Sequence, residues 1–316
     1  MTSSAPKRVV ELQPRRQRSM HSRPVWQEKP SDLAIASKGI VLTAIVIAVL
    51  VPLWMIVITS LSDQKTIGSA GGLVLMPHGL TLGAYREVLA GGVVTRAIGV
   101  SLFVTGVGTA ISLAVTILAA YGLSKPSMVL HRPILFLLLM TLFFGAGIIP
   151  TYLLVSSLGL IDSLWALILP TSVSAFNVLV MRSFFMGIEP DILDSARIDG
   201  AGEWRVLASM VLPTSKAVIG VIGLFYGVGY WNAFFNAMLY INNDAKWPLQ
   251  LVLRTLVLQG STQQGNAINE LAAGGALAPI ALQMAVVVLA LVPILIVYPF
   301  VQRHFKSGVM IGAVKG

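Results

Sequence analysis

An all-α polytopic membrane protein with six transmembrane helices is predicted by three observations. Hydrophobic residues make up 56% of the 316-residue chain and charged residues only 11%, against about 25% charged in ordinary soluble domains. Six long stretches hold no Asp, Glu, Lys or Arg, and Lys and Arg alternate in number between successive connecting segments. A chain with so little polar surface cannot cover itself in water, and lipid must face much of it. The 29 glycines suit closely packed membrane helices.

Crossing the hydrocarbon core takes about 20 mostly apolar residues. The candidate spans are residues 39–62, 97–124, 133–161, 163–181, 217–243 and 271–302. A seventh uncharged stretch, 66–85, is rich in Gly and Pro, poor helix formers, and is assigned to an extracytoplasmic loop. Spans two and three flank a tight hairpin at 123–132. Asp162 alone separates spans three and four, which must join at a short turn on the far side. Pro52, Pro150, Pro170, Pro293 and Pro299 lie in or near spans and favour kinks.

Orientation follows from the basic residues. Residues 1–38 carry Lys7, Arg8, Arg15, Arg16, Arg18, Arg23, Lys29 and Lys38. The hairpin carries Lys125 and Arg132; the segment after span four carries Arg182, Arg197, Arg205 and Lys216; the tail 303–316 carries Arg303, Lys306 and Lys315. The alternate segments hold only Lys65, Arg86, Arg96, Lys246 and Arg254. Both termini are therefore expected in the cytoplasm. The first apolar run is too long for a signal peptide and no small-residue cleavage pattern follows it. The tail 1–38 reads as a solvated basic segment that can rest on anionic lipid. This distribution explains the net charge of +9 without nucleic acid.

Residues 182–216 form the densest charge cluster outside that tail. Pro190 suits a first helical position, with Asp191 and Asp194 in the first turn, where the helix dipole favours anions. Ile188, Ile192 and Ala196 recur every four residues and share a face. Gly200 can end this helix in a left-handed turn. A second short helix fits 201–212, and Pro213 opens the next span. The spacing predicts helix, sharp bend, helix on the cytoplasmic side. Physics alone leaves open an amphipathic helix resting on the bilayer, although its acidic residues sit poorly against anionic lipid.

The run Asp194-Ser195-Ala196, Gly200, Met210, Leu212-Pro213 resembles the signature loop of ABC-importer permeases. That pattern reads Glu-Ala-Ala, three residues, Gly, nine residues, Ile, one residue, Leu-Pro. The spacing agrees throughout, with Asp194, Ser195 and Met210 as substitutions. Residues 145–170, 231–240, the Trp247-Pro248-Leu249-Gln250 motif and the tail 308–316 are similar to the sugar branch of the family, nearest the oligosaccharide and polysaccharide-fragment permeases, alginate-type importers included. The likeness runs from about residue 33 to the end of the chain. It implies the ABC-importer permease fold in a bacterial cytoplasmic membrane. It also implies four kinds of partner: a second homologous permease, two ATP-binding subunits carrying ATP and Mg, an extracytoplasmic solute-binding protein and membrane lipid.

The resemblance further implies roles within the loop. Asp194 would face basic residues of the ATPase, Ser195 and Ala196 would be small for close seating, and Gly200 would allow the bend. Asp199 and Glu203 would offer rim charges, and Leu212 and Pro213 would tie the loop to the fifth span.

A saccharide path needs amides, hydroxyls and rings at membrane depth. Tyr152, Asn177, Tyr226, Tyr230, Trp231, Asn232, Asn236 and Gln283 qualify. Their alternative role is to join helices or anchor the interfaces. Asn232 and Asn236, four apart, are expected to share a helix face. No charged residue lies inside any span, which argues against an ion-coupled carrier. The four histidines are scattered, cysteine is absent, and no nucleophile, metal-site or phosphate-loop motif occurs. No catalytic residue, metal ligand or cofactor site is assigned to this chain. An ABC permease for a non-sugar solute is the alternative function.

Overall fold

The computed structural model of the chain describes residues 31–259 and 279–312. Most of the basic tail 1–38, the first residues of the expected sixth span (271–278) and the last four of the C-terminal tail lie outside the described residues. Among the described residues the regular structure is helical, and the one strand-like contact is an antiparallel bridge between Ser62 and Leu80.

In chain order the helices are α1 (Asp32–Ser60), α2 (Gln64–Ser69), α3 (Gly83–Leu89), α4 (Val93–Ser124), α5 (His131–Phe143), α6 (Ile148–Ser157) and α7 (Trp165–Thr171, closing in a 3-10 turn). There follow α8 (Ala175–Met186), α9 (Pro190–Ile198), α10 (Glu203–Thr214), α11 (Lys216–Trp231), α12 (Phe234–Tyr240), α13 (Leu249–Gln259) and α14 (Pro279–Gly312).

The chain divides into two units, Met1–Pro52 and Leu53–Gly316. The first contributes the N-terminal part of α1, apolar on every side beyond Lys38, as a helix surrounded by lipid or protein must be. The second holds two apolar clusters. One surrounds the C-terminal half of α4 together with α7, α8 and α10–α12, centred on Val104, Ile168, Met181 and Ile222. The other joins Ile58, α3, the N-terminal part of α4, α13 and α14, centred on Val94, Leu249 and Ala285.

Helix α4 is the spine of the second unit. At 1.5 Å per residue its 32 residues reach about 48 Å. Its buried positions, Val94, Ala97, Ser101, Val104, Gly108, Ser112, Thr116, Ala120 and Leu123, recur every three or four residues and are mostly small. Small side chains let helices approach closely where no hydrophobic force drives association. At Gly108 the approach is extreme: a Cβ would lie 2.8 Å from the Tyr230 ring.

The break between α7 and α8, bent by 51°, frees backbone groups that have no water to turn to at membrane depth. Two tyrosines of α11 satisfy them. Tyr226 Oη accepts from Ser174 N at 3.1 Å and lies 2.8 Å from Thr116 Oγ1. Tyr230 Oη donates to the Ile168 carbonyl at 3.0 Å and lies 2.8 Å from Ser112 Oγ. The single proton of Tyr230 goes to Ile168, so Tyr230 accepts from Ser112; between Tyr226 and Thr116 either hydroxyl can donate.

Several expected spans are broken. The stretch 133–161 is not one helix. Residues 144–147 are non-helical, Gly147 sits at φ +84°, and Pro150 occupies the first turn of α6. The stretch 163–181 breaks between Thr171 and Ala175. The stretch 217–243 breaks after Trp231, and helix resumes at Phe234. Residues 66–85, expected to be loop, contain part of α2 and the start of α3. By length and composition α1, α4 and the Ile280–Pro299 part of α14 can each cross a bilayer, and two bent pairs, α7 with α8 and α10 with α11, raise the number to five among the described residues. Helix α5, at 13 residues, reaches only about 20 Å.

The turn between α6 and α7 is pinned to residues 240–246. Asp162, at φ +59°, donates its N–H to the Tyr240 carbonyl at 2.7 Å. Its carboxylate accepts from Asn243 N at 2.9 Å and from Lys246 Nζ at 3.0 Å. The Asn243 N–H, followed by the Lys246 ammonium, holds the Asp162 carboxyl below the usual carboxylate range.

Gly108→Ala is expected to destabilise the fold by about 1 to 3 kcal/mol, because the tyrosine it meets is fixed at its hydroxyl; thermal unfolding of the purified protein measures it. A depressed carboxyl pKa contributes stability that is complete above the unfolded-state pKa and is lost as pH falls through the folded-state value. The melting temperature is therefore expected to fall on acidification through that range, and Asp162→Asn should remove this part of the pH dependence.

Candidate functional site

Two regions at different depths along α4 carry the candidate residues. The first is the segment 187–215. Pro190 begins α9, Asp191 lies in its first turn and Arg197 in its last, each charge matching the helix dipole. The helix closes as a Schellman motif. Gly200, at φ +78°, donates to the Arg197 carbonyl, and Ala201 donates to the Ala196 carbonyl, both at 3.0 Å. Helix α10 follows after Gly202 and winds as a π-helix over Leu207–Val211 before Leu212 and Pro213. It meets α11 at 84°.

Two acidic residues of this segment, Asp194 and Glu203, are engaged within the chain. Asp194 pairs with Arg197 at 2.9 Å. Glu203 accepts from Tyr121 Oη at 2.6 Å, pairs with Lys125, and has Arg197 at 3.7 Å. The Lys125 ammonium also lies 4.0 Å over the Tyr121 ring. Glu203 thus ties the 125–130 hairpin to the start of α10, and a cavity of about 470 Å³ lies between them and the end of α8. Arg182 Nε donates to the Leu123 carbonyl at 2.7 Å, capping the end of α4.

Ala196 is buried against this chain's own core, so its small size serves internal packing. Gly200 has open space around it, and Asp199 is exposed. The outward surface also carries Ile198 and Trp204, 86% and 74% exposed. Neither was singled out from the sequence, although two large apolar side chains in a charged segment were a readable signal. Tyr121 and Lys125 had none, since their contact with Glu203 spans about 80 residues of chain.

The second region is a cavity of about 260 Å³ where the α7–α8 break faces α11 and α12. It gathers Asn177, Tyr226, Tyr230 and Asn236 from the expected path residues and adds Thr171, Ser174 and Phe225. Among the described residues no charged side chain lines it. Both tyrosine hydroxyls are already committed to backbone and to α4, so amides and hydroxyls supply its hydrogen bonds. The shared helix face expected for Asn232 and Asn236 does not exist. The helix ends between them, and Asn232, exposed, donates to the Val228 carbonyl at 2.9 Å. Tyr152 stacks on Tyr240 with ring centroids 6.1 Å apart. Gln283 donates to the Leu256 carbonyl at 3.1 Å, joining α14 to α13. Trp231 is buried and donates to the Ala290 carbonyl at 3.0 Å. These four lie outside the cavity wall.

The two ends of α4 set the scale. Ser101 accepts from Leu249 N at 2.8 Å near one end, and Lys125 pairs with Glu203 at the other. At 1.5 Å per residue these contacts are about 36 Å apart, more than the hydrocarbon core of roughly 30 Å.

No protein-family profile matches the chain. It is 43% identical over 243 residues to the polygalacturonan/rhamnogalacturonan transport system permease protein YtcP of Bacillus subtilis, covering 77% of this chain and 85% of that one. It is 43% identical over 249 residues to protein LplC of the same organism, covering 77% and 81%. The sn-glycerol-3-phosphate transport system permease protein UgpE of Brucella suis is 26% identical over 296 residues, covering 90% and 98%. Among solved structures, a chain of a bacterial ABC transporter involved in the import of the acidic polysaccharide alginate superposes with a TM-score of 0.81 at 27% identity, over 88% of this chain and 100% of that one. By these relationships the chain belongs to the ABC-importer permeases of the sugar-transport branch.

Proposed function

We propose that this permease crosses the cytoplasmic membrane six times, with both termini in the cytoplasm, and forms an import path with a second, homologous permease. The sixth crossing is α5 and α6 together, since neither is long enough alone. Two ATP-binding subunits, carrying ATP and Mg, sit beneath the segment 187–215. A solute-binding protein delivers cargo on the opposite side. No bond of the cargo is made or broken in this chain.

The observation that carries this reading is the continuous path from the exposed turn to the cavity. Ile198 and Trp204 flank Gly200; α10 leads from them through Pro213 to the 84° corner; and α11 carries Tyr226 and Tyr230 into the cavity wall. Displacing the turn would rotate α11 about that corner and move the wall. Apolar anchors ringed by charge are the usual centre of a protein interface. With Asp194 and Glu203 in internal pairs, Ile198 and Trp204 are the docking contact, with Asp199 at the rim.

The cargo is an oligosaccharide or polysaccharide fragment. Amides and hydroxyls in the cavity match sugar hydroxyls, and aromatic rings offer faces for sugar rings. The relatives' cargoes, polygalacturonan, rhamnogalacturonan and alginate, support a cargo that includes acidic sugars.

Trp204→Ala removes an exposed side chain and should leave folding intact. Copurification of the ATP-binding subunit is expected to fail, and uptake to drop by about tenfold or more, the effect of losing one interface hot spot. Normal copurification with normal uptake would place Trp204 at the lipid surface instead. For the cavity, Asn177→Leu with Asn236→Leu is expected to lower saccharide uptake by about tenfold through two lost hydrogen-bonding groups, while the ATP-binding subunits still copurify.

A further inference from the structure

We propose that Arg254 reads the carboxylate of an acidic sugar, which makes it a specificity residue of this permease. This rests on the saccharide reading above. Five cations belong to the segments opposite the coupling turn: Lys65, Arg86, Arg96, Lys246 and Arg254. Lys65, Arg86 and Arg96 are exposed, and water neutralises their need for a partner. Lys246 is committed to Asp162. Arg254 is half-buried, and among the described residues no carboxylate pairs with it.

Its surroundings hold the guanidinium without neutralising it. The group lies 4.7 Å over the Phe234 ring, and Nη1 is 3.7 Å from the Met238 sulfur, a weak acceptor. A ring beneath a guanidinium fixes its plane and leaves the N–H edge free, which is the edge that takes a carboxylate through two parallel hydrogen bonds. Taking a cation partly out of water without a counter-ion is unfavourable, and an anionic ligand removes that cost. A neutral sugar does not.

The position fits a cargo contact. Phe234 and Met238, four apart on α12, share the face toward Arg254, and Asn236, on the opposite face of the same short helix, lines the cavity, so Arg254 lies across α12 from it. Arg254 itself lies on α13, which is held by buried Leu251, Val252 and Leu256 and joins α4 through the Leu249–Ser101 bond. The cation therefore sits on rigid helix at the end of α4 away from the coupling turn, where incoming cargo would arrive. The sequence provided no cation inside a span for an acidic cargo; the structure supplies one beside the cavity-lining helix.

The test uses the complete importer in membrane vesicles, with labelled trigalacturonate and its fully methyl-esterified form, which keeps the sugar chain and lacks the carboxylate charges. Wild type is expected to take up the acid in preference to the ester. Arg254→Gln should raise the KM for the acid by about tenfold, the loss of one charge-assisted bidentate contact, and leave uptake of the ester unchanged. Arg254→Lys should retain part of the discrimination. Equal losses for acid and ester would show a packing role and overturn the proposal, as would no change for either. Wild-type uptake of neither trisaccharide, with the ATP-binding subunits bound and active, would overturn the saccharide reading itself.

Discussion

The hydrogen bonds of two tyrosine hydroxyls hold the rest of this fold in place. A broken helix inside a membrane exposes amides and carbonyls that lipid cannot satisfy. Tyr226 takes the Ser174 amide and Tyr230 takes the Ile168 carbonyl, while each also bonds a hydroxyl of α4. One pair of side chains therefore joins α4, α11 and the α7–α8 break. Without them the break would be intolerable, and without the break there would be no cavity. Gly108 belongs to the same arrangement, since only a residue without a side chain admits the Tyr230 ring at that distance.

From this joint the chain reads as a rigid rod set across a corner. The α4 spine fixes the distance between the 198–204 turn and the α13 helix, and Glu203 with Lys125 fixes the turn to the end of the spine. The exposed pair that secures Glu203 is modest in free energy. It acts by locating α10 relative to the hairpin, and the apolar cluster beneath Ala196 and Val206 does most of the holding.

What could be read from the sequence was what depends on near neighbours along the chain. The Pro190 start, the Gly200 left-handed stop and the helix–bend–helix form of 187–215 all follow from residues within one or two turns, and they stand as expected. The family resemblance rested on the same short segment and is borne out by the relatives. The path residues were harder, because placing Asn232 and Asn236 on one face assumed a continuous helix. Nothing in the apolar run 217–243 announces the end at Trp231. Gly145, Gly147 and Pro150 did announce the break before α6, but the absence of charge across 133–161 outweighed them. The contacts of Glu203 and Arg254 join residues far apart in the chain or on different helices, and composition carries no trace of them.

The indole of Trp231 offers a last consequence. It donates to the Ala290 carbonyl, next to the Leu289 carbonyl whose backbone donor Pro293 lacks. The bond welds α11 to α14 at this point, since moving α14 away would strand a buried N–H. Flexing is then denied to the last helix and left to the backbone around Ser215, a division of labour between a stiff wall and a single pivot.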